Sequence, residues 1–98
     1  MSMSAEAFSD GTLSGVGQTV DGKRQGLWQF FYRSGTVKGV GAFVDGVQHG
    51  PWEWFREDGS RMRSGSFEMG AQTGDWVTYD RAGAPYKTTT FTPPTLDS

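Results

Sequence analysis

Tryptophan and glycine recur in this sequence at a fixed interval of 24 residues, and this period constrains the fold more than any other feature. Trp28, Trp52 and Trp76 are one period apart, and each follows a glycine by two positions. Such a period is typical of repeat proteins, in which one supersecondary unit stacks on the next. Five further columns keep the same interval: Gly11, Gly35, Gly59 and Gly83; Gly17, Gly41 and Gly65; Gly22, Gly46 and Gly70; Phe31, Phe55 and Tyr79; Phe43, Phe67 and Phe91.

Two turn signals occur in every repeat. Glycine accepts a positive φ at little steric cost, and Asp-Gly and similar pairs suit two-residue hairpin turns. The short signals are Ser34-Gly35, Asp58-Gly59 and Ala82-Gly83, and the longer ones are 21–26, 45–50 and 69–74. The segments between the turns are rich in aromatic and β-branched residues, which favours strands over 12–20, 27–33, 36–44, 51–57, 60–69, 75–81 and 84–91. No segment has the apolar period of a helix.

The pattern predicts an all-β fold, an elongated, twisted single antiparallel sheet of stacked β-hairpins with about seven strands. The repeat domain is expected over residues 11–92, divided into 11–34, 35–58, 59–82 and a partial repeat 83–92. The flanking segments 1–10 and 93–98 are expected to be disordered, because terminal segments often lack tertiary contacts.

The tryptophan and glycine columns are expected to meet across the strands. A two-residue turn at each short signal would place Trp28 opposite Gly41, and Trp52 opposite Gly65. Glycine in a strand leaves a gap that a ring on the neighbouring strand can cover. We therefore assign the repeated positions Trp28, Trp52, Trp76, Gly41 and Gly65 to the structure of the repeat rather than to a ligand site.

Three less regular aromatic residues are the candidates for a contact surface. Phe30 and Tyr32 are replaced by Thr78 and Asp80 in the third repeat, whereas Trp54 keeps an aromatic side chain in the second. Aromatic residues are enriched in the centres of protein interfaces. We therefore predict that Phe30, Tyr32 and Trp54 contact a protein partner or a second copy of the chain, for which a homodimer is plausible. Core packing of the same rings is the competing interpretation.

Composition argues against several other functions. The formal net charge is −2 and the sequence contains no basic stretch, so a nucleic acid partner is not expected and an anionic membrane is disfavoured. Without cysteine there is no thiol nucleophile, thiolate metal site or disulfide. No secretory signal or apolar membrane-spanning stretch is recognisable, so a cytoplasmic location is expected.

Residues with the chemistry of catalysis are few. His49 is the only histidine, and the carboxylates Glu57 and Asp58 lie at a hairpin tip. Solvated tips do not shift a carboxyl pKa in the way general acid–base catalysis requires. We therefore predict no catalytic residues, no metal site, no cofactor and no small-molecule substrate, and we do not expect an enzyme.

The order of glycines and aromatic residues resembles MORN repeats, over residues 11–92. The matching positions are Gly41, Phe43, Gly46, Gly50 and Gly59 in one repeat, and Gly17, Gly22, Gly26 and Gly35 in the one before. The leading tyrosine of the family is replaced by Gly15, Gly39 and Arg63, which is similar to the variant MORN repeats of bacterial proteins, some of them described as antitoxin components. The resemblance implies a twisted single sheet, a scaffolding or partner-binding role and no catalytic residues.

Two other functions remain open from the sequence. The tryptophan column could form a stacking ladder in a carbohydrate- or choline-binding module. Recruitment to membrane lipids is the other alternative, and only the family resemblance supports it.

Overall fold

The computed structural model describes residues 2–92, which form one open antiparallel sheet of eight strands in sequence order. The strands are β1 (Ser2–Ala7), β2 (Leu13–Val20), β3 (Lys23–Phe31), β4 (Val37–Val44), β5 (Val47–Phe55), β6 (Arg61–Glu68), β7 (Ala71–Tyr79) and β8 (Pro85–Phe91). The predicted all-β single sheet is confirmed, with eight strands instead of about seven. The described residues contain no helix that could cross a membrane.

The additional strand is β1, so the prediction of disorder for residues 1–10 is wrong for the described part of this segment, residues 2–10. Shifted by one period, Ser4 and Glu6 take the repeat positions of Trp28 and Phe30, and the missing aromatics hid the strand. Pairing with β2 holds β1 in place, helped by a hydrogen bond of 2.7 Å between the hydroxyls of Ser4 and Thr19. The expected disorder of 93–98 concerns residues outside the described part of the chain.

The longer turn signals are tight turns. Asp21 and Gly22 both have positive φ, at 52° and 78°, which matches a two-residue hairpin turn of type I′. Strand β3 therefore begins at Lys23 instead of at residue 27. The next glycine, Gly26, also has a positive φ and lies where the register between β2 and β3 shifts, so it forms part of a bulge. The later repeats have the same geometry.

The short turn signals are three-residue loops instead of two-residue turns. The Gly35 amide donates to the carbonyl oxygen of Tyr32, and the Tyr32 amide donates to that of Thr36, both at 2.9 Å. Three other short loops repeat this pair of hydrogen bonds. A longer loop alone would displace the predicted pairing by one residue.

A bulge restores the register. The pairing of β3 with β4 shifts between Phe30 and Phe31, leaving Lys38 as the additional residue. Beyond this bulge Trp28 lies opposite Gly41, as predicted. The second hairpin has an equivalent shift, so Trp52 lies opposite Gly65.

The buried core lies on one face of the sheet. Its members are Trp28, Phe43, Trp52 and Trp76, whose exposed fractions are 0%, 6%, 3% and 5%. Each tryptophan donates its indole N–H to a carbonyl oxygen on the preceding strand, at 2.8 to 3.1 Å, and the acceptors are Gln18, Ala42 and Ser66. These hydrogen bonds satisfy the one polar group of each buried ring.

Each ring leans onto a glycine of the preceding strand. The ring closest to Gly41 belongs to Trp52 on β5, although Trp28 on β3 also lies opposite this glycine. Trp28 covers Gly17 and Trp76 covers Gly65 in the same manner. The repeat pattern predicts instead that Trp28 and Trp52 cover Gly41 and Gly65 on the following strand, and the indole hydrogen bonds to the preceding strand explain the difference.

Successive hairpins are also tied together at their tight turns. The amide of Gly46 donates to the carbonyl oxygen of Arg24 at 2.9 Å, and the amide of Asp45 donates to the side-chain oxygen of Gln25 at 2.8 Å. One repeat later, the Met69 amide donates to Nδ1 of His49 at 3.0 Å. Gln25 and His49 therefore accept equivalent hydrogen bonds from turn amides in consecutive repeats.

Candidate interaction groove

Five aromatic rings form a continuous stack along the buried face of the sheet. Phe30 stacks between Trp28 and Trp52, with centroid distances of 5.8 and 6.1 Å. Trp54 lies between Trp52 and Trp76, at 5.7 and 5.3 Å. Two neighbouring rows of residues cross the strands, and within each row glycine alternates with a large ring from one strand to the next. The stack forms because each glycine leaves room for a ring of the neighbouring strand to lean over it.

Two phenylalanines support this stack from the side. Phe43 meets Trp52 edge-on with centroids 5.2 Å apart, and Phe67 meets Trp76 edge-on at 5.0 Å. Edge-to-face contacts of this kind are favourable because the positive edge of one ring faces the negative face of the other. The rings of the stack are therefore held by neighbours on two sides.

Arginines lie over both ends of the stack. The Arg24 guanidinium lies 5.2 Å from the Trp28 ring centre and forms a two-point ion pair with Glu6, with nitrogen–oxygen distances of 2.7 and 3.1 Å. At the other end, Arg63 lies 4.9 Å from the centre of the Trp76 ring. A cation over an aromatic face is attracted by the ring quadrupole.

Beside the stack lies a groove of about 650 Å³, which we call the aromatic groove. It is open to solvent, and its volume is in the range of ordinary ligand sites. Phe31 and the exposed Lys38 also line it, although strict alternation would put Phe31 on the opposite face. The other lining residues used below are Phe30, Phe43, Trp52 and Trp54.

The structure brings two of the three predicted contact residues together. Phe30 and Trp54 are half-buried, and both line the aromatic groove and pack on the core. Tyr32 is not one of the lining residues, and its hydroxyl donates to the carbonyl oxygen of Phe55 at 2.7 Å. One repeat later the Arg56 guanidinium binds the carbonyl oxygen of Tyr79 in the same way, so this position ties neighbouring hairpins together.

Sequence reasoning missed the charged residues around the stack. Arg63 occupies the column of Gly15 and Gly39, and it stands opposite Thr78 where the earlier repeats place a ring opposite glycine. This exchange was visible as a break in a glycine column. Arg24 and Lys38 carried no comparable signal, because each occurs at a position that varies between repeats.

Two carboxylates of the described residues have lowered pKa values, and both lie away from the aromatic groove. No group of three or more histidine or acidic side chains that could hold a metal ion is found within 2–92. Hydrogen bonds from Thr12 lower the pKa of Asp10, and hydrogen bonds from Ser60 lower the pKa of Asp58. Both carboxylates lie in exposed three-residue loops and do not line the aromatic groove. The groove is therefore equipped for apolar and cationic contacts.

Comparison with known protein families and with curated proteins found no match to this sequence.

Proposed function

We propose that this chain is a non-enzymatic protein-interaction or scaffold module of the MORN-repeat type, acting in the cytoplasm. Its contact surface is the aromatic groove, with Trp54 and Phe30 as the main anchors. The narrower form of the proposal is a bacterial antitoxin-like protein that binds its partner through this groove. The observation that carries the proposal is a solvent-open groove lined by half-buried rings on a rigid stack.

Rigidity of the rings supports this function. Trp54 is held between Trp52 and Trp76, and Phe30 between Trp28 and Trp52. A partner that packs on these rings loses little side-chain entropy from this chain, because the rotamers are already restricted. Tryptophan is also among the residues that most often dominate the binding energy of an interface.

The charge at the groove favours an acidic group on the partner. Arg24 is neutralised by Glu6, whereas Lys38 forms no ion pair within residues 2–92. Its ammonium group lies 5.8 Å from the centre of the Tyr32 ring and is exposed. A carboxylate next to an apolar side chain of the partner would complement this arrangement.

The proposal can be tested by capture and titration. Tagged chain is used to capture proteins from a lysate of the source organism, and each captured protein is purified and titrated directly. Trp54→Ala is expected to weaken binding of the true partner at least tenfold, as for a central aromatic anchor. Leu27→Ala is the control, because Leu27 is 67% exposed and does not line the groove.

Equal affinities of wild type and Trp54→Ala for every captured protein would contradict the proposal. Trp54→Ala and Leu27→Ala are first compared with wild type by circular dichroism, so that a loss of binding is separated from a loss of folding. The Lys38→Glu variant tests the charge, since it should weaken an acidic partner and leave a neutral one unaffected.

The uninterrupted stack keeps a carbohydrate- or choline-binding module as the second candidate. Stacking on a sugar ring requires exposed ring faces, and burial of Trp28, Trp52 and Trp76 weighs against it. Titration with glycans and choline, followed by tryptophan fluorescence, distinguishes the two candidates. A saturable change that Trp54→Ala removes would favour the second candidate.

A further inference from the structure

Both outer strands of the sheet have one backbone edge without a strand partner inside the described residues. Strand β1 has the repeat position of β3, β5 and β7, and β8 has that of β2, β4 and β6. A second copy whose β1 lay beside β8 would therefore continue the antiparallel alternation of the sheet. Unpaired edges of this kind are templates for pairing with another chain.

One row of directly opposed residues shows that the two edges are complementary. It crosses all eight strands through Glu6, Gly15, Phe30, Gly39, Trp54, Arg63, Thr78 and Lys87. The row begins with a carboxylate and ends with an ammonium group, whereas the pairs between Gly15 and Trp54 place a ring opposite a glycine. Opposite charges that face each other across two strands attract, and like charges repel.

A second row leads to the same pairing. Ser4 stands in the tryptophan column and lies opposite Gly17, and Thr89 stands in the glycine column and lies opposite Trp76. Ser4 therefore has a hydroxyl side chain where the inner strands have tryptophan, and Thr89 has one where they have glycine. Two medium-sized side chains, Ser4 and Thr89, can therefore face each other across the junction where the interior of this row places a ring opposite a smaller residue.

We propose that β8 of one copy pairs with β1 of a second copy, with Lys87 opposite Glu6 and Thr89 opposite Ser4 across the junction. Glu6 keeps its ion pair with Arg24, because each carboxylate oxygen can accept more than one hydrogen bond. Pro85, which has no amide hydrogen, lies outside the paired stretch 87–89. This inference concerns the edges of the sheet and does not depend on the function of the aromatic groove.

The contact is head-to-tail, so every added copy presents the same free edges again. Such a heterologous contact produces open chains of copies unless the rotation happens to close a ring. The paired stretch is short, so the association is weak and depends on concentration and salt. Lys87, Thr88, Thr89 and Thr90 are all exposed in the single chain, so no existing contact has to break.

Light scattering of the purified chain over a wide concentration range tests the proposal. At about 0.15 M salt the average mass is expected to rise beyond that of a dimer, and at about 1 M salt it should fall because the charges are screened. Lys87→Glu should lower the association constant at least tenfold. Mixing Lys87→Glu with Glu6→Lys should restore association, since each variant then supplies the charge that the other lacks.

Lys23→Glu makes the same change of charge on the inner strand β3, outside the aromatic groove, and is expected to leave the association unchanged. A monomer at every concentration would overturn the proposal. A dimer that does not grow further would also overturn it, and so would an association that Lys23→Glu removes and Lys87→Glu leaves intact. If Glu6→Lys does not fold, Lys87→Gln is compared with Lys87→Glu instead of the mixing experiment. Equal association constants of these two variants would also overturn the proposal.

Discussion

The indole ring of Trp52 lies against Gly41 on the neighbouring strand so closely that a side chain at this glycine would overlap it. The indole N–H at the same time donates to the carbonyl oxygen of Ala42 at 3.0 Å. The hydrogen bond therefore holds the ring against this glycine. This relationship recurs one repeat earlier and one repeat later, and it makes the glycine column as necessary as the tryptophan column.

Gly41→Ala should destabilise the sheet by about 3 kcal/mol, the upper part of the range for overpacking a core. The control is Gly39→Ala, because its added carbon would lie 3.1 Å from the half-buried Trp54 ring, a contact that a shift of a few tenths of an ångström relieves. That change should stay within about 1 kcal/mol of wild type, since a small movement of Trp54 relieves the contact. Urea unfolding followed by tryptophan fluorescence measures both. Equal stability of the two variants would show that the ring does not depend on Gly41.

Met69→Asn should stabilise the chain by about 1 kcal/mol. Met69 has a φ of 47°, a left-handed conformation that asparagine adopts more readily than methionine. The two earlier repeats have aspartate at this position, and the Met69 side chain is 55% exposed, so little packing is lost. Met3→Asn replaces a methionine of similar exposure within a strand and should not stabilise. The melting temperatures of the two variants give the comparison.

His49→Leu should destabilise the junction between the second and third hairpins by about 1 kcal/mol, because it removes the hydrogen-bond acceptor of the Met69 amide. His49→Gln should behave like wild type, since Gln25 accepts the equivalent hydrogen bond of Asp45. Hydrogen exchange of the Met69 amide, followed by NMR, reports on this contact directly. Unchanged protection in His49→Leu would mean that the contact contributes nothing.

Tyr32→Phe should cost about 1 kcal/mol of stability by removing the hydrogen bond to the Phe55 carbonyl oxygen. The Phe30 and Trp54 rings should not be disturbed, so binding of a groove partner should persist. Tyr86→Phe serves as the control, because Tyr86 is 65% exposed on an edge strand. A loss of binding without a loss of stability would instead make Tyr32 a partner contact, as the sequence analysis predicted.

Acid should weaken the three-residue loops that contain Asp10 and Asp58. Hydrogen bonds from Thr12 and Ser60 lower both carboxyl pKa values below the ordinary value of 3.8, so the folded chain binds these protons less readily than the unfolded chain. Their contribution to stability is complete above that value and is lost as the pH falls through the lowered pKa values. NMR titration of the two carboxyl carbons measures the shift. Midpoints at or above the ordinary value would contradict the prediction, and Asp58→Asn should flatten the acid dependence of the melting temperature.

Turn and strand patterns predicted most of the fold because they depend on neighbouring residues. Glycine positions indicated where the chain reverses, and alternating aromatics indicated strands. The observed pairing of Trp28 with Gly41 nevertheless arises by another route than the one predicted, since a three-residue loop is compensated by a bulge at Lys38. Strand β1 was missed because Ser4 and Glu6 lack the aromatic signal, and its pairing with β2 depends on contacts distant in sequence.

Two of the three residues predicted as partner contacts line the aromatic groove, and their role in binding stays a prediction. Phe30 and Trp54 stood out as less regular aromatics, and both line it, whereas Tyr32 is engaged with the next hairpin. The arginines over the stack could not be placed from the sequence, because a long flexible side chain reaches rings on several strands. Arg24, for example, lies over Trp28, Phe30 and Phe43 together.

The sequence by itself determined the all-β class and the sequential order of the hairpins, because these follow from a strict period and from the glycines at which the chain reverses. Only the tertiary structure decided which glycine each indole covers. Trp52 has a glycine opposite it on both neighbouring strands, and periodicity treats the two sides alike. The hydrogen bond to Ala42 breaks this symmetry, since it draws the ring towards β4 and onto Gly41.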